Sequence, residues 1–99
     1  MPTNILSKSK RTKTTRSTEF SFLAPQATAV YLAGDFNLWD PESLRLKKDK
    51  KGNWKVKLDL PLGRYEYRFF VDGVWQNDSQ CTQCVANSFG TWNCVRIIE

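Results

Sequence analysis

The sequence predicts an all-β fold, an antiparallel β-sandwich of about seven strands behind a disordered N-terminal tail. Three observations predict it. Apolar residues recur at every second position in several short runs, and no run shows the 3.6-residue helical period. Gly, Pro, Asn and Asp punctuate the runs. A chain of 99 residues holds one core and is too short for a β/α barrel or a doubly wound sheet.

The elements follow in order. Residues 1–17 are mostly Ser, Thr, Lys and Arg with almost nothing to bury, so they are read as a disordered basic tail and 18–99 as the folded domain. Phe20 and Phe22 share one face of a first strand, and Val30 and Leu32 one face of a second, with Tyr31 opposite. Leu44 and Leu46 suggest a short strand before the turn Lys50-Lys51-Gly52-Asn53. From Trp54 to Leu60 the period of two is clearest: Trp54, Val56, Leu58 and Leu60 face one way, Lys55, Lys57 and Asp59 the other. Pro61-Leu62-Gly63 turns the chain into a strand with Tyr65, Tyr67, Phe69 and Val71 on one face. Asp72-Gly73 is a hairpin signal, and Val74–Asn77 pairs back. Residues 78–90 read as a loop, and Thr91–Ile98 as the closing strand.

Charge divides the chain sharply. The net +5 comes from Lys8, Lys10, Arg11, Lys13 and Arg16 in the tail, so the remaining ten basic residues are matched by ten acidic ones. The domain itself therefore carries no call for an anionic partner. No apolar run approaches a membrane span or the hydrophobic stretch of a secretory signal, so no membrane association is expected. Three cysteines, an odd number, read as reduced thiols in a cytoplasm rather than a disulfide framework.

Catalysis and metal binding find little support. Histidine is absent, which removes the commonest general base and metal ligand. Asp35, Asp40, Asp72 and Asp78 stand singly beside turn residues, where a carboxylate caps backbone amides. Cys81 and Cys84 form a CxxC with Cys94 ten residues on, but no fourth cysteine completes a zinc site. A redox CxxC opens a helix, whereas this one falls in the expected loop. No catalytic residue, metal or cofactor is therefore expected.

The aromatic residues are more informative: six Phe, three Tyr and four Trp. Trp54 is in phase with Val56 and Leu58 and belongs to the core, and Trp92, opposite Thr91 and Asn93, is assigned there too. Trp39 instead sits in the loop Gly34–Pro41, and Trp75 follows the hairpin turn at a sheet edge. Two roles stay open for both: a binding platform, or a cap folded back over the sandwich end. As a platform, an indole suits the flat apolar face of a glucose ring, with nearby polar groups for its hydroxyls. Arg68, Thr91 and Asn93 are the candidates for those polar contacts.

Four segments carry a resemblance: VYLAGDFNLW at 30–39, LDLPLGRYEYRFFVDGVW at 58–75, Asn77-Asp78, and FGTWN at 89–93. Over about residues 18–98 the chain resembles carbohydrate-binding module family 48, the isoamylase N-terminal or early-set domain. It is similar there to the glycogen-binding domain of the AMP-activated protein kinase beta subunit. The resemblance implies an immunoglobulin-like sandwich that binds α-1,4-linked glucan such as glycogen or starch. It implies stacking by Trp39 and Trp75, and polar contacts from Arg68 (a lysine in the kinase subunits), Thr91 and Asn93. Phe89 stands at the position of a leucine that inserts at the inner curve of the glucan. Cys94 and the QCTQC of the 78–88 loop depart from the pattern. A second function stays in view, a stand-alone interaction module docking a carbohydrate-active enzyme or a kinase. A third, single-stranded nucleic acid held by the basic tail and surface aromatics, ranks last.

Overall fold

The computed structural model describes residues 14–99. Among these are eight strands: β1 Thr15–Leu23, β2 Val30–Gly34, β3 Lys47–Lys48, β4 Asn53–Pro61, β5 Gly63–Val71, β6 Val74–Gln76, β7 Cys84–Ala86 and β8 Trp92–Ile98. All pairings are antiparallel. One sheet has the order β1-β4-β3 and the other β2-β5-β8-β7, with β6 also on β5. β8 pairs with Gly63–Tyr67 and β6 with Phe69–Val71, so the two share one edge of β5 while β2 takes the other. The predicted all-β sandwich stands, and no helix among the described residues is long and apolar enough to cross a membrane.

The period of two sorts side chains as expected. Phe20, Val30, Leu32, Leu46, Trp54, Leu60, Tyr67, Phe69, Val71, Cys94 and Ile98 form the buried core between the sheets. Tyr67 packs edge-on against Phe20 at 5.0 Å and against Phe69 at 5.9 Å between ring centroids. Each of the fully buried apolar side chains contributes about 1.5–3 kcal/mol. Trp54 satisfies its indole N–H on the Ala24 carbonyl at 2.9 Å, as a buried tryptophan must.

Three local expectations need correction. The boundary drawn at residue 18 falls inside β1, because Thr15, Arg16 and Ser17 pair with Pro61, Leu60 and Asp59. Backbone ladders need no apolar side chain, and these three are exposed, so composition carries no sign of the pairing. Residues 1–13 of the expected tail lie outside the described residues. The strand expected around Leu44 and Leu46 is a crossover between sheets. Leu44 and Leu46 hydrogen-bond across to Leu32 and Val30 of β2, and Lys47 and Lys48 then pair with β4. Finally, the 78–90 loop contains β7, so the CxxC ends on a strand rather than wholly in a loop. Only Val85 of its three residues is partly buried, too short a pattern to register.

Candidate functional site

Alternation along β5 sends Tyr67 and Phe69 into the core and turns Glu66, Arg68 and Phe70 to the outer face of the larger sheet. Trp75 lies opposite Phe70 on β6, their ring centroids 4.9 Å apart. The hairpin that carries Trp75 turns through Asp72 (φ 49°) and Gly73 (φ 84°), both left-handed, as a type I′ turn requires. The Asp72 carboxylate accepts the amide hydrogens of Thr28 (2.9 Å) and Ala29 (2.8 Å), tying the hairpin to the chain before β2.

Trp39 reaches the same face from the loop after β2. A 3-10 turn over Asp35–Asn37 gives way to Leu38 (φ 56°) and Trp39 (φ 58°), two successive left-handed residues with side chains. Each such residue costs roughly 1–2 kcal/mol. Hydrogen bonds hold the conformation: Trp39 N–H donates to the Gly34 carbonyl at 2.9 Å, and Gly34 N–H to Asn37 Oδ1 at 2.9 Å. A side chain at Gly34 would place a Cβ 2.5 Å from the Glu66 carbonyl oxygen, so the loop departs from a glycine. Asp35 accepts the Trp39 indole N–H at 3.1 Å with one oxygen and the Glu66 amide at 2.8 Å with the other. The Trp39 ring is thereby set 6.4 Å from that of Trp75, the planes inclined at 57°.

A polar cluster adjoins the indoles. Arg68 donates through Nε to Asn77 and through Nη1 to Thr91 Oγ1 (3.3 Å), with its guanidinium 5.9 Å from the Trp75 ring centre. Asn77 is fixed in turn by the Trp92 carbonyl at 2.9 Å. Asn87 Oδ1 accepts the amides of Phe89 (3.0 Å) and Thr91 (3.1 Å), while its Nδ2 donates to Asn93 Oδ1 at 2.9 Å. Asn93, only 8% exposed, passes its own amide to Glu66 Oε1 at 3.0 Å. The Asn93 amide and then Arg64 hold the Glu66 carboxyl below its ordinary range.

All six residues singled out from the sequence, Trp39, Arg68, Trp75, Phe89, Thr91 and Asn93, line one open concavity of about 740 Å³. Trp75 keeps 38% of its surface exposed and Phe89 88%. Asn87 and Ser88 complete the lining, and Asn87 is the organiser that sequence reasoning missed. Its signal was an Asn three residues before Gly90, which has φ 81° and closes the turn. Trp92 corrects another expectation. It faces away from Asn93 as alternation requires, yet it is 57% exposed and outside the core. It stands at the first position of β8, opposite the likewise exposed Ala86 of β7. Asp40 and Asp78 accept amides of their own turns, the role read from their neighbours, whereas Asp35 accepts the distant amide of Glu66 and Asp72 those of Thr28 and Ala29.

A sandwich that presents two indole faces beside amide, hydroxyl and guanidinium groups is built as a carbohydrate-binding domain. Residues 16–99 match the family described as the glycogen recognition site of AMP-activated protein kinase, and the chain belongs to that family. It is 41% identical over 64 residues to the 5'-AMP-activated protein kinase subunit beta-1 of Homo sapiens, covering 65% of this chain and 22% of that protein. The same subunit from Rattus norvegicus gives the same figures, 41% over 64 residues with 65% and 22% covered. Protein FLOURY ENDOSPERM 6, chloroplastic, of Oryza sativa subsp. japonica is 42% identical over 52 residues, which is 52% of this chain and 10% of that protein. The chain thus matches only about a tenth to a fifth of the length of these relatives.

Proposed function

We propose that this domain binds α-1,4-linked glucan, that is glycogen, starch or maltooligosaccharide, without acting on it. Trp39 and Trp75 stack on successive glucose rings, and Arg68, Thr91 and Asn93 bond to their hydroxyls. The observation that carries this reading is the pair of indoles 6.4 Å apart and tilted by 57° on the wall of one concavity. α-1,4 linkage curves the chain, so consecutive sugar faces turn toward one another, which suits two inclined platforms better than one flat one. Phe89 projects where the inner curve would fall and offers a third apolar surface. With Arg16 in β1, the described residues carry eleven basic and ten acidic side chains, a near balance consistent with an uncharged ligand.

Calorimetric titration with maltoheptaose, and with a β-1,4-linked cello-oligosaccharide as control, tests the reading. The expected affinity for the α-glucan is roughly micromolar to millimolar, since an open platform must immobilise a flexible ligand. Equal binding of the two sugars, or of neither, would overturn it. A second reading draws on the kinase-subunit relatives: docking of an enzyme or kinase partner through a sandwich face. A stable complex indifferent to Trp39→Ala and Trp75→Ala would favour that reading.

A further inference from the structure

The three cysteines of the chain, spread over 14 positions in sequence, converge in the fold. The sulfur atoms of Cys81, Cys84 and Cys94 all lie within 4.8 Å of one another. Backbone pairing places two of them: Cys84 of β7 and Cys94 of β8 are direct partners across the ladder and share its core-side face. Cys81 is brought in by the turn before β7, where its amide donates to the Asp78 carbonyl at 3.2 Å. That turn is pinned in turn by Tyr67, whose hydroxyl donates to the Asp78 carboxylate at 2.9 Å. Cys94 is fully buried, Cys81 half-buried and Cys84 exposed, so the cluster has a closed floor and an open mouth.

We propose that Cys81, Cys84 and Cys94 form a three-thiolate site for a single thiophilic d10 cation, copper(I) or zinc(II). Distance favours this. An ion about 2.3 Å from each of three sulfurs holds them about 4 Å apart. The Cys81–Cys84 separation is 3.3 Å and no pair exceeds 4.8 Å, so each needs to move by less than an ångström. The third sulfur separates this reading from a disulfide, which would join two thiols and leave Cys94 beneath them without a role. On binding, three S–H bonds break, three metal–sulfur bonds form, and three protons leave to solvent. The chain has no histidine and no further cysteine, so the protein supplies three thiolates and no imidazole. Copper(I) accepts that number, whereas zinc(II) would add an oxygen ligand at the exposed Cys84 side. The site lies on the face of β7 and β8 opposite the glucan concavity and is independent of the sugar-binding reading.

The test uses the full chain, reduced, kept free of oxygen and freed of small thiols. Cuprous ion, delivered as its acetonitrile complex, and zinc chloride are titrated in separate arms against a coloured chelator. The expected result is one ion per chain in at least one arm, three protons released, and all three thiols protected from iodoacetamide. The tighter arm identifies the metal. Cys84→Ser, at the exposed member, should fold normally and weaken binding by about tenfold or more. Half an ion per chain, a loaded protein with an alkylatable cysteine, or unchanged binding in Cys84→Ser would overturn the proposal. So would failure of both ions to bind.

Discussion

Trp75→Ala is the most demanding perturbation of the sugar site, and its size follows from the structure. The side chain is 38% exposed in the free domain, which leaves about 90 Å² of a roughly 250 Å² indole for a sugar face. At about 25 cal/mol per Å² this is worth about 2.3 kcal/mol, or about 40-fold in dissociation constant. A glucose face is only partly apolar, so a loss between about tenfold and 40-fold is expected. The other part of the indole packs on Phe70 at 4.9 Å, and its loss costs about 1 kcal/mol of stability. Calorimetry with maltoheptaose measures the first effect and thermal unfolding the second. Trp39→Ala should give a similar loss. The double variant should lose less than the sum, because the two rings stand 6.4 Å apart and order one another. A Trp75→Ala protein that unfolds cooperatively yet binds maltoheptaose within about threefold of wild type would refute stacking as the source of affinity.

Asn87→Ala removes the acceptor for the Phe89 and Thr91 amides and the donor to Asn93. It should weaken glucan binding by about tenfold while costing about 1 kcal/mol of stability, since water replaces it at the exposed amides. Arg68→Lys keeps the charge but cannot serve Asn77 and Thr91 together. A threefold to tenfold affinity loss by calorimetry is expected, about the scale of one exposed hydrogen bond. Glu66 has a folded pKa below its unfolded value of about 4.5, so its stabilising contribution is complete above that value and disappears as pH falls through the folded pKa. Melting temperature should be flat in this respect from pH 7 to about 5 and fall below it. Part of the fall is due to Asp49, likewise lowered by the Asn53 and Lys51 amides. The Glu66 share is the difference between wild type and Glu66→Gln, and coincident pH profiles for the two would exclude it.

The long strands were legible because alternation persists in them: β1, β2, β4 and β5 each place apolar side chains at every second position against a single core. β7 was not, since its three residues bury only part of Val85. Nor was the crossover at 44–48, where each sheet claims two or three residues and no period can accumulate. Trp92 shows a different limit. Alternation reports which face a side chain takes, not whether it is buried there. Among the site residues, Trp39 and Trp75 were marked by their positions on a loop and after a turn. Asn87 acts through amides of its own turn and through Asn93, and its spacing from Gly90 marks a turn without marking a site. The meeting of three thiols was hidden for the same reason as β7, because only the β7–β8 register puts Cys84 beside Cys94.

The hydrogen bonds around the concavity also bear on how affinity and selectivity divide. Trp39 gives its only side-chain donor to Asp35, and Asp35 uses its second oxygen on the Glu66 amide. Glu66 holds Asn93, Asn93 is held by Asn87, and Arg68 spans Asn77 and Thr91. Each of these polar side chains thus has a partner before any sugar arrives, and its direction is set by that partner. Ordering these groups then takes little further entropy on binding, but a hydroxyl that bonds to them gains only the difference from an existing bond. On the proposed reading, area removed from water at the two indoles carries most of the free energy, and the fixed amides reject sugars whose hydroxyls point elsewhere. Substitutions among the polar groups should therefore change the ratio between α- and β-linked oligosaccharides more than they change affinity for the α-glucan. Trp39→Ala and Trp75→Ala should lower both affinities together.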